Sequence, residues 1–261
     1  IKSPAELAVM RRAGALTAAA VNFAMRSTHP GVYEYQLAAA ADFVFLAGGA
    51  TGGGYRPSVA SGANIWNMHY YRNNCRLTAG ELVLMDYAPD LCNYTSDIGR
   101  MWPVAGVYAP AQRDLYGFVV DYHRTLLELI GPDEAVDALR RQAADRMRPL
   151  ASRVKWSKSI YADAVERLLA TGQPFTHPVG MAVHDVGSYV AQPLAPGVVF
   201  ALDPQLCVPE EGLYIRVEDT IAIVPNGLEN FTAGSPHDLD EVERLTGSGS
   251  PPPDFASLAS R

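Results

Sequence analysis

The chain has 261 residues, of which 48% are hydrophobic, 19% charged and 9% aromatic, a composition that excludes the disordered, fibrous and membrane-embedded classes. Its 28 Asp and Glu outnumber 21 Lys and Arg, giving a net charge of −7. That balance argues against a nucleic-acid or anionic-membrane partner, because phosphate binding needs a basic face.

Ser3-Pro4-Ala5-Glu6 reads as a capping box with Pro at the first helical position, and predicts a long Ala-rich helix to about Arg26, ended by His29-Pro30-Gly31. A second helix is expected from about Tyr33 to Leu46, with Leu37, Ala40, Ala41 and Val44 in one stripe and Gly48-Gly49 at its end. Asp42 interrupts this Ala-rich stretch, and no apolar run reaches membrane-spanning length. From Thr51 to about Val107 the pattern turns to short strands, such as Leu82 to Asp86. Residues 110–172 read as three helices broken at Gly131-Pro132 and around Arg153 to Ser159, and a second strand-rich stretch runs from about Pro174 to Val224. Helix, strand, helix, strand predicts an α+β domain over residues 1–246 built from two similar halves. The tail, 247–261, with Gly-Ser-Gly-Ser and three prolines, is expected to be disordered. Cys75, Cys92 and Cys207 form neither a disulfide framework nor a zinc-finger spacing, so a reducing, cytoplasmic setting is expected. No signal peptide is visible, and the start at Ile1 rather than Met leaves open an upstream segment that was removed or not included.

Two hairpins carry facing acids. Pro89, Asp90 and Asn93 are turn residues, so a hairpin centred near Leu91 and Cys92 sets Asp86 opposite Asp97. Pro209-Glu210-Glu211-Gly212 makes a second turn, about which Asp203 faces Glu218. Directly opposed residues have Cβ atoms about 5 Å apart, where like charges repel. A cation between them reverses that penalty. Asp86 and Asp203 each end an apolar run, and an acid at the end of a buried strand is costly unless it is paired or metal-bound. His177 and His184, and His69 in Asn67-Met-His69-Tyr-Tyr, are further candidates; an unbroken strand would place His177 and His184 on opposite faces, although Pro178 and Gly180 interrupt it. Carboxylates with one imidazole suit manganese, cobalt, iron or zinc. Two such ions about 3.5–4 Å apart can hold a hydroxide and polarise a carbonyl.

These residues resemble the catalytic domain of the pita-bread metallopeptidases, the family of methionine aminopeptidase, aminopeptidase P and prolidase. The resemblance runs from Ile1-Lys2-Ser3-Pro4 to about Leu245. The opening Ile-Lys-Ser, His69-Tyr70 and Ile215-Arg216-Val217-Glu218-Asp219 are closer to the proline-specific branch. The resemblance implies a pita-bread (creatinase/aminopeptidase) fold of two pseudo-symmetric halves, with a curved antiparallel sheet covered by helices. It implies two divalent ions, with manganese the first expectation: Asp86 on one ion, His177 and Asp203 on the other, and Asp97 and Glu218 bridging both. His69 and His184 match the two histidines that line the substrate pocket and steady the tetrahedral intermediate, and Arg216 would support a ligand carboxylate. The expected activity is hydrolysis of Xaa-Pro peptide bonds, as aminopeptidase or dipeptidase, through a metal-bridging hydroxide. A peptide is the expected substrate, with no nucleic-acid or membrane partner. The family also implies a homodimer, but its usual N-terminal domain, which helps form the dimer, does not precede this sequence.

Four positions depart from the pattern. Asp203, in Ala-Leu-Asp203-Pro-Gln, stands where the family has a Glu in Glu-Pro-Gly, a residue that binds metal and is usually assigned as the acid–base group. The lost methylene withdraws the carboxylate by roughly 1.5 Å, and a 1 Å misplacement in a catalytic constellation can cost on the order of 100-fold. Gly99 stands where Thr is usual, Tyr214 where Gly is common, and Gln173 where the proline-specific members often have His. The alternatives kept open are therefore a creatinase-like hydrolase of a non-peptide substrate and a non-catalytic binding scaffold.

Overall fold

Ser3 starts the first helix as its sequence demands: its hydroxyl accepts from the Glu6 amide while the Glu6 carboxylate accepts from the Ser3 amide. In the computed structural model, which describes residues 1–253 and 255, that helix is α1 (Pro4–Arg26), followed by α2 (Glu34–Ala47). The first strand region contains β1 (Gly52–Gly53), β2 (Ser58–Ser61), β3 (Leu82–Asp86), β4 (Pro89–Asp90) and β5 (Ile98–Pro103). The three expected central helices are α3 (Pro110–Leu129), α4 (Val136–Ala151) and α5 (Ser159–Thr171), broken where Gly131-Pro132 and residues 153–158 interrupt the pattern. The second strand region supplies β6 (Phe175–Pro178), β7 (Val199–Leu202), β8 (Gln205–Val208), β9 (Leu213–Arg216), β10 (Glu218–Val224) and β11 (Gly227–Asn230), before α6 (Leu239–Leu245). This is the α+β pita-bread architecture expected from the sequence. No helix among the described residues is long and apolar enough to cross a membrane.

The main sheet is antiparallel, in the order β2-β3-β5-β10-β7-β6, with β11 on the far end of β10. Strands of the first half lie on one side and those of the second on the other, and the halves join where Gly99 of β5 pairs with Glu218 of β10. Trp102, Tyr116, Phe45 and Phe200, all fully buried, contribute to one hydrophobic core that draws on both helical regions and the sheet.

The second hairpin keeps the register read from its turn. Gln205 pairs with Arg216 and Leu202 with Asp219, so Asp203 and Glu218 stand opposite between those pairs. The first hairpin does not. Asp86 pairs with Gly99, not Asp97, a slip of two residues. The cause is the connection: β4 leaves to pair with β1, and a tight Leu91–Tyr94 bridge forces Cys92 and Asn93 to positive φ, consuming residues that a simple hairpin would have paired. A slip of two conserves the face, because side chains alternate with period two. Asp86, Asp97 and Glu218 therefore still point the same way, around Gly99. Ile98, Arg100 and Asp219 occupy the opposite face.

Of the tail, residues 247–253 lie along the end of α1 and the side of α2. The Gly247 amide donates to the Met25 carbonyl, which also accepts from the Thr28 amide, the Gly249 amide donates to the Arg26 carbonyl, and Gln36 Nε2 donates to the Pro253 carbonyl at 3.1 Å. Residues 254 and 256–261 of the tail expected to be disordered lie outside the described residues.

Candidate metal centre

Four carboxylates meet on the inner face of the sheet, each buried: Asp86 at the end of β3, Asp97 just before β5, Asp203 just after β7 and Glu218 at the start of β10. Like charges this close need a counter-charge, and Arg216 supplies part of it. Its Nη1 lies 2.9 Å from Asp86 Oδ2, its Nε 3.0 Å from Asp203 Oδ1 and its Nη2 2.7 Å from Asp203 Oδ2, and Nη2 also donates to Glu218 Oε2. Gln205 adds a second donor to Asp203 Oδ2. Both Asp203 oxygens are thus engaged within the protein.

The other acids are not. Asp86 Oδ1 and Glu218 Oε1 are buried without a hydrogen-bond partner among the described residues. His177 Nε2 stands 3.3 Å from Asp97 Oδ2, and one donor atom from each of Asp97, His177 and Glu218 lies within 4.8 Å of the other two. Orphaned oxygens of this kind call for an ion, and three carboxylates with one imidazole are the donor set of a divalent transition metal. The residues present fit a divalent metal ion.

Electrostatics carry the same signature of crowding. Burial, reinforced by the charge of Asp97, pushes Asp86 up to about 7 against the opposing pull of Arg216. Burial also drives Glu218 well above the carboxylate range. Asp97 resists the same desolvation, because His177, Arg216 and the Tyr55 hydroxyl hold it below its ordinary value. His177, despite its own desolvation, is raised by Asp97.

Asp86 and Asp97, with His177 and Arg216, open into a cavity of about 460 Å³, walled further by Tyr55, Arg56, Ser58, His69, Tyr71 and residues 182–184. His69 and His184 stand at this mouth with ring centroids 5.9 Å apart, and His184 lies 4.0 Å from His177. The two later histidines come together because the chain leaves regular strand at Pro178 and turns through residues 179–187, so the opposite-face alternation of an unbroken strand never applies. Desolvation and the neighbouring His177 hold His184 below the imidazole range.

Three contributors carried no readable signal in the sequence. Tyr55 donates to Asp97 Oδ1 at 3.0 Å from a loop distant in the chain. Thr220 accepts from the Asp97 amide at 2.6 Å and donates to the Asp97 carbonyl at 2.8 Å, fixing the backbone of that acid. Gln205 is a strand residue whose role appears only once Asp203 is placed beside it.

Comparison with known proteins places the chain in a family. The profile of metallopeptidase family M24 matches residues 8–225. The chain is 36% identical to the Xaa-Pro aminopeptidase of Escherichia coli over 262 residues, covering 94% of this chain and 58% of that protein. It is 32% identical to intermediate cleaving peptidase 55 of Saccharomyces cerevisiae, covering 95% of this chain and 50% of that one. A structure of zinc-substituted E. coli aminopeptidase P in complex with product superposes with a TM-score of 0.80 at 34% identity, over 94% of this chain and 59% of the other. The chain thus spans between half and three-fifths of the length of these relatives. With the fold, the acid cluster and the matched profile in agreement, the chain belongs to metallopeptidase family M24.

Proposed function

We propose that the chain is the catalytic part of a divalent-metal-dependent peptidase that cleaves Xaa-Pro bonds, in the manner of aminopeptidase P or prolidase. The observation that carries this reading is the convergence of Asp97, His177 and Glu218 beside Asp86, with Asp86 Oδ1 and Glu218 Oε1 unpartnered among the described residues, where Asp86, Asp97 and His177 line a cavity that also holds His69 and His184. Divalent ions at these residues, manganese being the first candidate and cobalt, zinc or iron the others, supply an activated water and a Lewis acid for the scissile carbonyl.

The chain's own groups do the rest. Tyr55 and Thr220 hold Asp97 by its carboxylate and its backbone. His177 is oriented by its Nδ1 contact, 3.2 Å from the Pro178 carbonyl, which leaves Nε2 for the metal side. His69 and His184 reach the reacting carbonyl from the open side, where an imidazole N–H steadies developing negative charge. Asp203 is the candidate proton carrier at the position of the family's acid–base Glu; Arg216 and Gln205 fix its carboxylate.

A second reading is favoured by one feature, the engagement of both Asp203 oxygens: a relative with changed chemistry acting on a non-peptide substrate. The deciding experiment combines metal analysis of purified protein with cleavage of Xaa-Pro peptides in added manganese. Bound metal and release of the residue before proline support the first reading. Bound metal without cleavage of any Xaa-Pro peptide moves the assignment to the second, and protein that takes up no divalent ion sinks the metallopeptidase reading.

A further inference from the structure

Behind the acid cluster, on the opposite face of β10, lies a second convergence of metal-binding side chains. Asp219 follows Glu218 in the strand and so points away from the catalytic cavity. Its two oxygens are treated unequally. Oδ1 accepts from Arg100 Nη2 and from the Thr232 hydroxyl, each at 2.6 Å, whereas Oδ2 is buried without a hydrogen bond among the described residues. His123, on α3, is fully buried, and neither of its ring nitrogens makes a hydrogen bond among the described residues. His237, on the segment before α6, leaves its Nδ1 unpartnered and faces His123 with ring centroids 5.4 Å apart.

A buried imidazole whose Nδ1 is unpartnered among the described residues, and whose Nε2 meets a carboxylate oxygen without a well-formed hydrogen bond, is costly as it stands. His123 Nε2 lies 3.2 Å from Asp219 Oδ2, close but not aligned to share a proton. That spacing is the one a metal asks for: ligand–metal distances of about 2.0–2.1 Å at a tetrahedral zinc separate neighbouring ligand atoms by roughly 3.3 Å. One nitrogen from each histidine and one oxygen of Asp219 lie within 4.8 Å of one another.

We propose that His123, Asp219 and His237 form a second, structural metal site for zinc or a zinc-like transition ion, separate from the catalytic cluster and independent of the peptidase reading. Two imidazoles and one carboxylate select a transition metal over calcium or magnesium, which require oxygen ligands. His237 is only partly buried, which gives the ion a path in and a place for water as the fourth ligand. The Arg100 guanidinium sits on Oδ1 and leaves Oδ2 free, so the pair of Arg100 and Asp219 survives metal binding as the support that orients the ligand carboxylate. An ion here ties α3, β10 and the segment leading to α6 together directly behind Glu218. It stiffens the strand that presents Glu218.

The test separates the two sites. In a full-length variant disabled at the catalytic cluster, Asp97→Asn with His177→Ala, equilibrium dialysis against zinc is expected to retain about one equivalent per chain. Cobalt in its place should show the intense visible bands of a tetrahedral site, and zinc should raise the melting temperature. Adding His237→Gln, a loop substitution that leaves the core packing intact, should remove the equivalent, the cobalt bands and the thermal shift together. Adding His123→Gln should do the same. Zinc-free protein from the catalytic-cluster variant overturns the proposal, as does an equivalent that survives His237→Gln. In the otherwise unaltered chain, His237→Gln should leave manganese binding unchanged.

Discussion

Arg216 grips Asp203 through a two-pronged pair, Nε to Oδ1 at 3.0 Å and Nη2 to Oδ2 at 2.7 Å, while its remaining prong reaches Asp86. A guanidinium matched to a carboxylate in this way is fixed in direction as well as charge. It lies among the same acids that hold metal in the proposed function, so guanidinium and metal compete for oxygens. Asp203 is the acid most fully on the arginine's side, because its short side chain stops within the fork and Gln205 closes the other flank.

Lengthening that side chain should shift the competition. In Asp203→Glu the carboxylate extends beyond the arginine fork toward Glu218 and His177, and manganese affinity is expected to rise about tenfold, equivalent to about 1.4 kcal/mol. Isothermal titration reads the affinity directly. A variant that binds manganese more weakly than the parent would show that the site has been rebuilt around Asp.

Gly99 makes the arginine's position sterically available. It lies between Asp86 and Glu218 in the sheet, and a Cβ there would sit 3.0 Å from Arg216 Nε and 3.0 Å from Glu218 Cβ. Gly99→Thr should therefore push the guanidinium out of its fork and destabilise the metal-free protein by about 1–3 kcal/mol. Chemical denaturation of chelator-treated protein measures this. The cost should shrink in combination with Asp203→Glu, since both changes act on the same arginine. Strictly additive effects would count against a shared cradle.

Much of this was legible in the sequence, for identifiable physical reasons. Caps and breakers act locally, so Ser3, Glu6 and Gly131-Pro132 announced their helix boundaries correctly. The Pro209–Gly212 turn is tight, so the strands it joins kept the register counted outward from it. The first hairpin hid its register because residues 87–97 pair elsewhere on the way, yet its acids stayed on the expected face since the slip was even. Tyr55, Gln205 and Thr220 were invisible because their roles depend on contacts across the fold, and nothing in their local pattern differs from ordinary loop and strand residues. The buried Arg100, Asp219 and His123 group was equally hidden: strand alternation shows that Asp219 faces away from Glu218, but not what α3 brings to meet it.

His69 and His184 line the mouth of the cavity without joining the acid cluster, and this separates substrate chemistry from metal retention. Replacing either by Ala should lower kcat/KM for an Xaa-Pro peptide by about 100-fold, the scale of losing one donor to a developing oxyanion. Metal content, measured by elemental analysis, should remain at the parent level. Loss of metal in either variant would place that histidine among the ligands.

The displaced acidity of Asp86 gives a pH signature in metal-free protein. An unfolded Asp titrates near 3.9, whereas Asp86 in the fold is pushed up to about 7, first by burial and then by Asp97. Between these values the folded protein holds a proton that the unfolded chain has lost, so Asp86 makes stability fall as pH rises from about 4 to 7. Other groups shift in this range too. His237 is held down to about 3, chiefly by burial and then by Arg100, so it makes stability rise over part of the same window. The Asp86 contribution is therefore read by difference, against Asp86→Asn, which keeps the size and cannot ionise. In chelator, the stability of the parent relative to this variant should decline steadily across the window and level off above it. Manganese displaces that proton, so its stabilising effect on the parent should grow over the same range. A difference that stays flat, or rises with pH, would show that Asp86 is already ionised in the metal-free fold.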